Sequence, residues 1–370
     1  MTPKFIPGAE LCRLFFAEVV KPVIDDAFPR LRYAAALLGS GSEVLGFDTA
    51  MSMDHDWGPR VDLFVGEDDI EGVRLTLDAA LRERLPAVFR GFATSFTDPD
   101  PNDNGTRLPE LREGAPIRHK IAIVTPAAFF RDYLAFDIAN EPAAADWLTF
   151  PEQKLRTVTS GPIFHDDIGL GELRGRFAYY PHDVWRYLLA AAWTRIGQEE
   201  HLMGRAGTVG DEIGSALIGA RLVRDVMRLC FLMERTYAPY QKWLGTAFQR
   251  LQCAHALSPH LAGALISRTW KDREVHLAAA YEIAAAMHNA LGITPPLAVT
   301  VRPFFGRPFQ VIALHGFADA IAERIEDESV RALAGRARIG SIDQMSDSTD
   351  LVANTEWRGR LRRLYEPDDQ

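Results

Sequence analysis

The stretch GSGSEVLGFDTAMSMDHDWG, residues 39–58, decides the fold of the first part of the chain. An apolar run at residues 33–38 precedes it, and the alternating segment VDLFV follows at residues 61–65. The apolar run predicts a buried strand that turns into a loop at the glycines, and the alternation predicts a second strand. The stretch is therefore expected to join two strands of one small sheet.

The residue types within this stretch suit the binding of phosphates and metal ions. Small residues such as Gly41 and Ser42 let backbone N–H groups and a hydroxyl approach the β- and γ-phosphates of a nucleotide. Asp54 and Asp56 are two residues apart, so on a strand they would face the same side and could share divalent ions. The alternative is a glycine-rich turn that leads into an acidic surface strand.

The net charge of −9 is concentrated in one part of the chain. Residues 41–113 hold 16 acidic against 7 basic residues, which already equals the net charge of the whole protein. Such a region repels nucleic acid and suits divalent cations, which prefer carboxylate oxygens. Charge alone, however, favours a solvated acidic surface.

Length and composition predict a two-domain cytoplasmic protein. The chain has 370 residues, 47% hydrophobic and 25% charged, which is ordinary for a globular protein. No apolar run approaches the roughly 20 residues of a membrane span, and the N-terminus lacks the pattern of a signal peptide. The three cysteines, Cys12, Cys230 and Cys253, are far apart in apolar contexts and are expected to be reduced and buried.

The pattern of elements changes from mixed to helical along the chain. Helices are predicted at residues 10–27, with a bend near Pro22, and at 68–85, and further strands at 90–96 and 117–124. From residue 125 onward, apolar stripes at helical spacing dominate, as at 183–195, 213–231 and 272–292, interrupted by a short-strand insert at 299–312. We therefore predict an α+β fold, with a small mixed sheet and flanking helices in residues 1–135 and a mainly helical domain in residues 136–370.

The combination of Gly-Ser with Asp-x-Asp resembles the nucleotidyltransferase superfamily related to DNA polymerase beta. The matching residues are Gly41-Ser42, with Gly46 four residues beyond the serine, and then Asp54-His55-Asp56. DHDWGPR, YYPHDVWRY (179–187) and YAPYQKWLG (237–245) look like a set of uncharacterised bacterial proteins with this N-terminal domain and a helical C-terminal domain. That resemblance covers most of the chain and implies a fold and a reaction class but no substrate.

The chain departs from the superfamily in lacking an evident third carboxylate. The resemblance implies such a group on a later strand, but GFATSF and RHKIAIVT contain no acid. The candidates are Glu43 and Asp48 in the linker, Asp62 on the strand, and Asp166 or Asp167 in the IFHDDIG loop, with His119 as a substitute base.

Two basic residues of the helical region are candidates for phosphate binding. Lys242 lies among Tyr237, Tyr240 and Trp243, from where it could reach a triphosphate. The pattern agrees equally well with a solvated lysine on a helix whose aromatic face is packed. Arg205, in a predicted break between helices, is a weaker candidate. His55 and Trp57 are expected to pack rather than to bind.

The function that follows is Mg²⁺-dependent transfer of a nucleoside monophosphate from an NTP, expected to be ATP, to a hydroxyl of a small-molecule or macromolecular acceptor. Asp54 and Asp56 would hold Mg²⁺ and act in catalysis, and Gly41, Ser42 and Lys242 would bind the nucleotide. Neither a membrane nor nucleic acid is an expected partner. The alternatives are a catalytically degenerate nucleotide-binding or regulatory protein, and a structural partner protein with an acidic face.

Overall fold

A computed structural model of the chain describes residues 3–103, 105–112 and 116–366. The chain divides into two compact units, one of Met1–Glu141 with Lys154–Ala178 and the other of Pro142–Gln153 with Tyr179–Gln370. The segment Lys154–Ala178 thus packs with the first unit, although it lies within the range predicted for the helical domain. The domain ranges themselves stay a prediction.

The described strands are short, and they are numbered here in chain order. They are β1 (Tyr33–Ala36), β2 (Arg60–Val65), β3 (Val88–Phe89), β4 (Phe92–Ala93), β5 (Ser95–Phe96), β6 (Pro109–Glu110), β7 (Lys120–Val124), β8 (Ile163–Asp166), β9 (Arg302–Phe304) and β10 (Arg307–Val311).

The helices are numbered in the same way. They are α1 (Gly8–Phe15), α2 (Lys21–Ala27), α3 (Ile70–Arg84), α4 (Pro126–Leu134), α5 (Ala144–Thr149), α6 (Glu152–Ser160), α7 (Leu170–Gly175), α8 (His182–Thr208), α9 (Glu212–Met233), α10 (Gln241–Phe248), α11 (Ala254–Ile266), α12 (Trp270–Ala290), α13 (Phe317–Ala322), α14 (Glu328–Ala334), α15 (Ile342–Met345), α16 (Thr349–Ala353) and α17 (Arg358–Arg362).

The first unit is built on a mixed sheet with the strand order β7-β2-β1-β8. β2 runs parallel to β7, and β1 runs antiparallel to both β2 and β8. β1 is buried on both faces: Tyr33 and Ala35 belong to the core cluster formed with the N-terminal helices and α3, and Ala34 and Ala36 belong to a second cluster with Leu170. Burial on both faces explains why this strand is a continuous apolar run rather than an alternating one.

The predicted helix at residues 10–27 is confirmed together with its bend. A π turn, Phe16–Val20, separates α1 from α2 immediately before Pro22. Proline has no N–H to donate to the residue four positions earlier, and a π turn shifts the hydrogen-bond pattern at that point.

Two secondary-structure predictions in this unit are wrong. Residues 90–96 do not form one strand: Arg90 and Gly91 both take positive φ, at 51° and 89°, and make the turn between β3 and β4, and the rest of the segment forms the separate short strands β4 and β5. The IFHDDIG segment is not a loop: it contains β8, which adds to the edge of the sheet beside β1. That pairing requires Gly161, because a Cβ there would lie 1.9 Å from the carbonyl oxygen of Leu37.

The second unit consists mainly of helices, as predicted, with α8, α9, α11 and α12 packed on one another. The predicted insert at residues 299–312 is a β-hairpin, β9–β10. The predicted break near Arg205 is wrong, because that residue lies within α8. None of the described helices is long and apolar enough to cross a membrane. The two units together confirm the α+β class.

Candidate functional site

The Gly-Ser turn, residues 39–42, follows β1 directly. Gly39 and Gly41 have φ of +76° and +138°, which glycine adopts far more readily than residues with a side chain. At Gly41 there is also no space for a side chain, since a Cβ would lie 2.5 Å from the carboxylate of Glu43. Both glycines are therefore required by the shape of the turn.

The backbone N–H groups of the Gly-Ser turn are free within the part of the chain that the structure describes. The N–H of Leu38, just before the turn, donates to the carboxylate of Asp62 at 2.8 Å, whereas those of residues 39–42 have no acceptor there. Consecutive N–H groups without an acceptor form a concave site that suits an anion.

Arg60, the first residue of β2, holds the Gly-Ser turn in place through two hydrogen bonds. Its Nε donates to Glu43 Oε1 at 2.9 Å and its Nη2 donates to the carbonyl oxygen of Ser40 at 2.7 Å. Burial lowers the pKa of Arg60, but the charges of Glu43 and Asp62 outweigh burial and raise the pKa above its ordinary value. The turn is thus held by a buried ion pair rather than left as a mobile loop.

Asp54 and Asp56 lie in the loop before β2, so the prediction that they are on the strand is wrong. The loop bends because Asp56 adopts φ of +53°, and the two-residue alternation of a strand therefore does not apply to them. The side chain of Asp54 is 60% exposed and lies 3.1 Å from Nδ1 of His55. Burial raises the pKa of Asp54, but hydrogen bonds from the His55 backbone and side chain outweigh it and hold the pKa below its ordinary value.

Asp56 is bound by Lys120, the first residue of β7. The ammonium group contacts the Asp56 carboxylate and also donates to its carbonyl oxygen at 2.9 Å. Lys120 is the register partner of Arg60, the residue that holds the Gly-Ser turn. Because β1 runs antiparallel to β2, the turn after β1 and the aspartate loop before β2 are at the same end of the sheet. Arg60 and Lys120 are two cations at this end that the sequence reasoning missed.

The metal-binding role of Asp54 and Asp56 stays a prediction. Mg²⁺ is commonly held by one or two carboxylates, with its other ligands taken from substrate phosphates and water. Asp54 is exposed enough to take part, whereas an ion at Asp56 would have to displace Lys120 from its carboxylate. Among the described residues, no group of three or more His, Cys, Asp or Glu side chains is placed to hold a metal ion by itself.

The nearby candidates for a third carboxylate have other partners. Glu43 pairs with Arg60, and Asp62 accepts the N–H of Leu38. Asp48 accepts the N–H of Gly8 at 2.6 Å and the indole N–H of Trp57 at 3.1 Å. Each of these carboxylates thus has a structural task in holding the turn or the linker.

The more distant candidates are engaged as well. Asp166 accepts backbone N–H groups from the start of α7, and the carboxylate of Asp167 lies 2.7 Å from Nε2 of His165. Nε2 of His119 lies 3.5 Å from Asp78 of α3, while the next residue, Lys120, reaches Asp56. Burial lowers the pKa of His119, so the ring is neutral at physiological pH.

Lys154 is a further cation of the first unit, and no motif in the sequence marks it. Its Nζ donates to the carbonyl oxygen of Tyr133 at 2.9 Å and lies 5.1 Å from the centre of that ring. The hydroxyl of Tyr133 lies 2.7 Å from that of Thr157. Burial lowers the pKa of Lys154 to about 8, and no described carboxylate pairs with it.

The candidates of the second unit are described within that unit. Lys242 is exposed near the start of α10, with its Nζ 5.1 Å from the centre of the Trp243 ring. Tyr237 is buried and Tyr240 is 39% exposed, so this group is part core and part surface. The assignment of Lys242 to phosphate binding stays a prediction.

Comparisons with known proteins give a family match over part of the chain and a distant structural similarity. The model of a family described as "Domain of unknown function (DUF4037)" matches residues 147–244. Among solved structures, a nucleotidyltransferase-like protein from Exiguobacterium sibiricum 255-15 is similar, with a TM-score of 0.32 and 10% identity over 77% of each chain. A likeness at this level carries no argument about function. No curated protein matches the chain.

Proposed function

We propose that the first unit binds a nucleoside triphosphate at the Gly-Ser turn and transfers its nucleoside monophosphate to a hydroxyl group. The observation that carries this proposal is the run of free backbone N–H groups at residues 39–42, at the end of the sheet where the loop with Asp54 and Asp56 also lies. The resemblance of the sequence to the polymerase-beta-like nucleotidyltransferases supports the same reaction class.

In this proposal each part of the site has a separate task. The N–H groups of the turn donate to phosphate oxygens, and Lys154 adds a positive charge, because its one hydrogen bond leaves ammonium hydrogens available. Asp54 and Asp56 hold Mg²⁺, with ATP as the expected nucleotide. When bound, the ion neutralises the phosphates and polarises the phosphorus under attack. The acceptor is a hydroxyl on a small molecule or a macromolecule.

Calorimetric titration tests the binding part of the proposal. Mg-ATP and Mg-GTP are titrated into wild type, Asp54→Ala/Asp56→Ala and Lys154→Met, with Lys21→Met as a control whose lysine is in an exposed i,i+4 ion pair. We expect the double variant and Lys154→Met each to lose at least about tenfold in affinity, and the control to bind as wild type. Unchanged binding in the double variant would exclude the metal site, and no binding to wild type would exclude the whole proposal.

A second candidate function is nucleotide binding without transfer. The observation that favours it is that Glu43, Asp48 and Asp62 all have structural partners, so none is free to complete the site with Asp54 and Asp56. Incubation with α-labelled NTPs and a cell extract separates the two functions. A nucleotidylated product supports transfer, whereas intact binding without turnover supports the second candidate.

A further inference from the structure

The tip of the β9–β10 hairpin carries an aromatic residue in a strained conformation. Phe305 and Gly306 form the two-residue turn, with φ of +47° and +77°. Such turns favour Asn-Gly, because a bulky side chain at positive φ is strained. Phe305 is 73% exposed, so packing within the described chain does not explain why the strain is kept.

Phe305 is the outer end of a short row of aromatic rings, called here the aromatic stack. Its ring meets that of Phe304 edge to face, with centroids 4.9 Å apart and 72° between the planes, and Phe304 stacks on His201 of α8 at 4.1 Å and 13°. The guanidinium of Arg307 lies 5.7 Å from the centre of the Phe304 ring. The stack therefore holds the hairpin in place on α8 and leaves the face of Phe305 for another partner.

Three arginines on the hairpin and on the part of α8 near His201 have no carboxylate partner among the described residues. They are Arg205 on α8 and Arg302 and Arg307 on the hairpin, and all three are exposed. Burial lowers the pKa of His201, and the charges of Arg205 and Arg307 lower it further.

Two acids that contact the hairpin do not form ion pairs with its arginines. Glu274 and Glu282, which lie on α12, accept the backbone N–H groups of Gln310 and Val301. They thus anchor the base of the hairpin instead of pairing with its arginines.

We infer that this surface, made of Arg205, Arg302, Phe305 and Arg307, binds single-stranded nucleic acid. A base stacks on Phe305 and the flanking phosphates contact the arginines, which is the usual combination for unpaired strands. The net charge of the chain argues against nucleic acid, but the acidic excess lies in residues 41–113 and this surface is in the second unit. The inference stands without the proposed nucleotidyltransferase function, because it requires neither a nucleotide nor a metal ion.

Fluorescence anisotropy with a labelled oligouridylate tests the inference. Phe305→Asn places the preferred Asn-Gly pair in the turn, so this variant should fold at least as well as wild type. We expect it to lose about tenfold in affinity, as for the removal of one stacking residue. Arg302→Gln/Arg307→Gln should also weaken binding, and should reduce the slope of log affinity against log salt by about 1.4, for two lost phosphate contacts.

The matched control replaces two exposed arginines elsewhere, Arg74→Gln/Arg363→Gln, and should bind as wild type does. Duplex RNA of the same length should bind more weakly, because its bases are already stacked. The inference is overturned if Phe305→Asn binds unchanged or if the duplex binds equally well. It is overturned in favour of a membrane surface if vesicles with phosphatidylserine bind and the oligouridylate does not.

Discussion

Replacing Arg60 by methionine should destabilise the first unit and weaken the proposed phosphate site together. In the structure, Arg60 and Glu43 form an ion pair at 2.9 Å, with side chains 9% and 3% exposed. Methionine keeps most of the side-chain volume but leaves the Glu43 carboxylate buried without its partner. It also removes the donor to the carbonyl oxygen of Ser40, which holds the Gly-Ser turn.

The expected size follows from the burial of this pair. Removing one partner of a buried ion pair costs about 3–5 kcal/mol, because the remaining charge is uncompensated. The double variant Arg60→Met/Glu43→Gln removes that charge as well, so it should be more stable than the sum of the single changes predicts, by about 2 kcal/mol. As a control, Arg82→Met breaks an ion pair with Asp78 on the surface of α3 and should cost less than about 1 kcal/mol.

Urea-induced unfolding measures these free energies, and calorimetry with Mg-ATP measures the effect on the site. We expect Arg60→Met to bind Mg-ATP at least about tenfold more weakly in conditions where it is folded, because the turn is no longer held. The reasoning is refuted if Arg60→Met costs no more than the Arg82 control, or if the effects of the Arg60 and Glu43 changes are simply additive.

Three further predictions concern stability. Burial lowers the pKa of Lys154 from 10.5 to about 8, so wild type should gain stability relative to Lys154→Met as pH rises through that interval in urea titrations. Glu200 has its pKa raised by burial from 4.5 to about 7, so wild type should gain stability relative to Glu200→Gln as pH falls from about 7 to 4.5; an opposite slope would contradict the assignment. Gly161→Ala should lower the free energy of unfolding by about 2 kcal/mol or more because its Cβ meets the carbonyl oxygen of Leu37, whereas Gly175→Ala, with nothing within 4 Å, should not destabilise.

Elements with strong local signals could be predicted from the sequence. The α+β class, the bend near Pro22, β1, β2 and the long helices follow from apolar periodicity and from proline chemistry, which act within a few residues. β8 could not be predicted in this way. Its place beside β1 depends on a close approach between Gly161 and Leu37, residues distant in the sequence.

In the candidate site, too, some features follow from the sequence and others do not. The sequence predicts a site at the Gly-Ser turn and the aspartate pair, and the antiparallel pairing of β1 with β2 places both segments at one end of the sheet. It does not show that a backbone bend at Asp56 removes the aspartates from the strand. Nor does it show that Arg60 meets the turn and Lys120 the loop, because these contacts arise from the packing of separate elements.

The most direct test of the central claim is the response of the turn's own N–H groups to triphosphate. The ¹⁵N–¹H TROSY spectrum of the protein is recorded during titration with Mg-ATP, and the signals of residues 39–42 are followed. If this turn holds the phosphates, these signals shift downfield together in a saturable manner, since free N–H groups gain charged acceptors. The account is contradicted if ATP binds and shifts signals elsewhere while those of residues 39–42 stay unchanged.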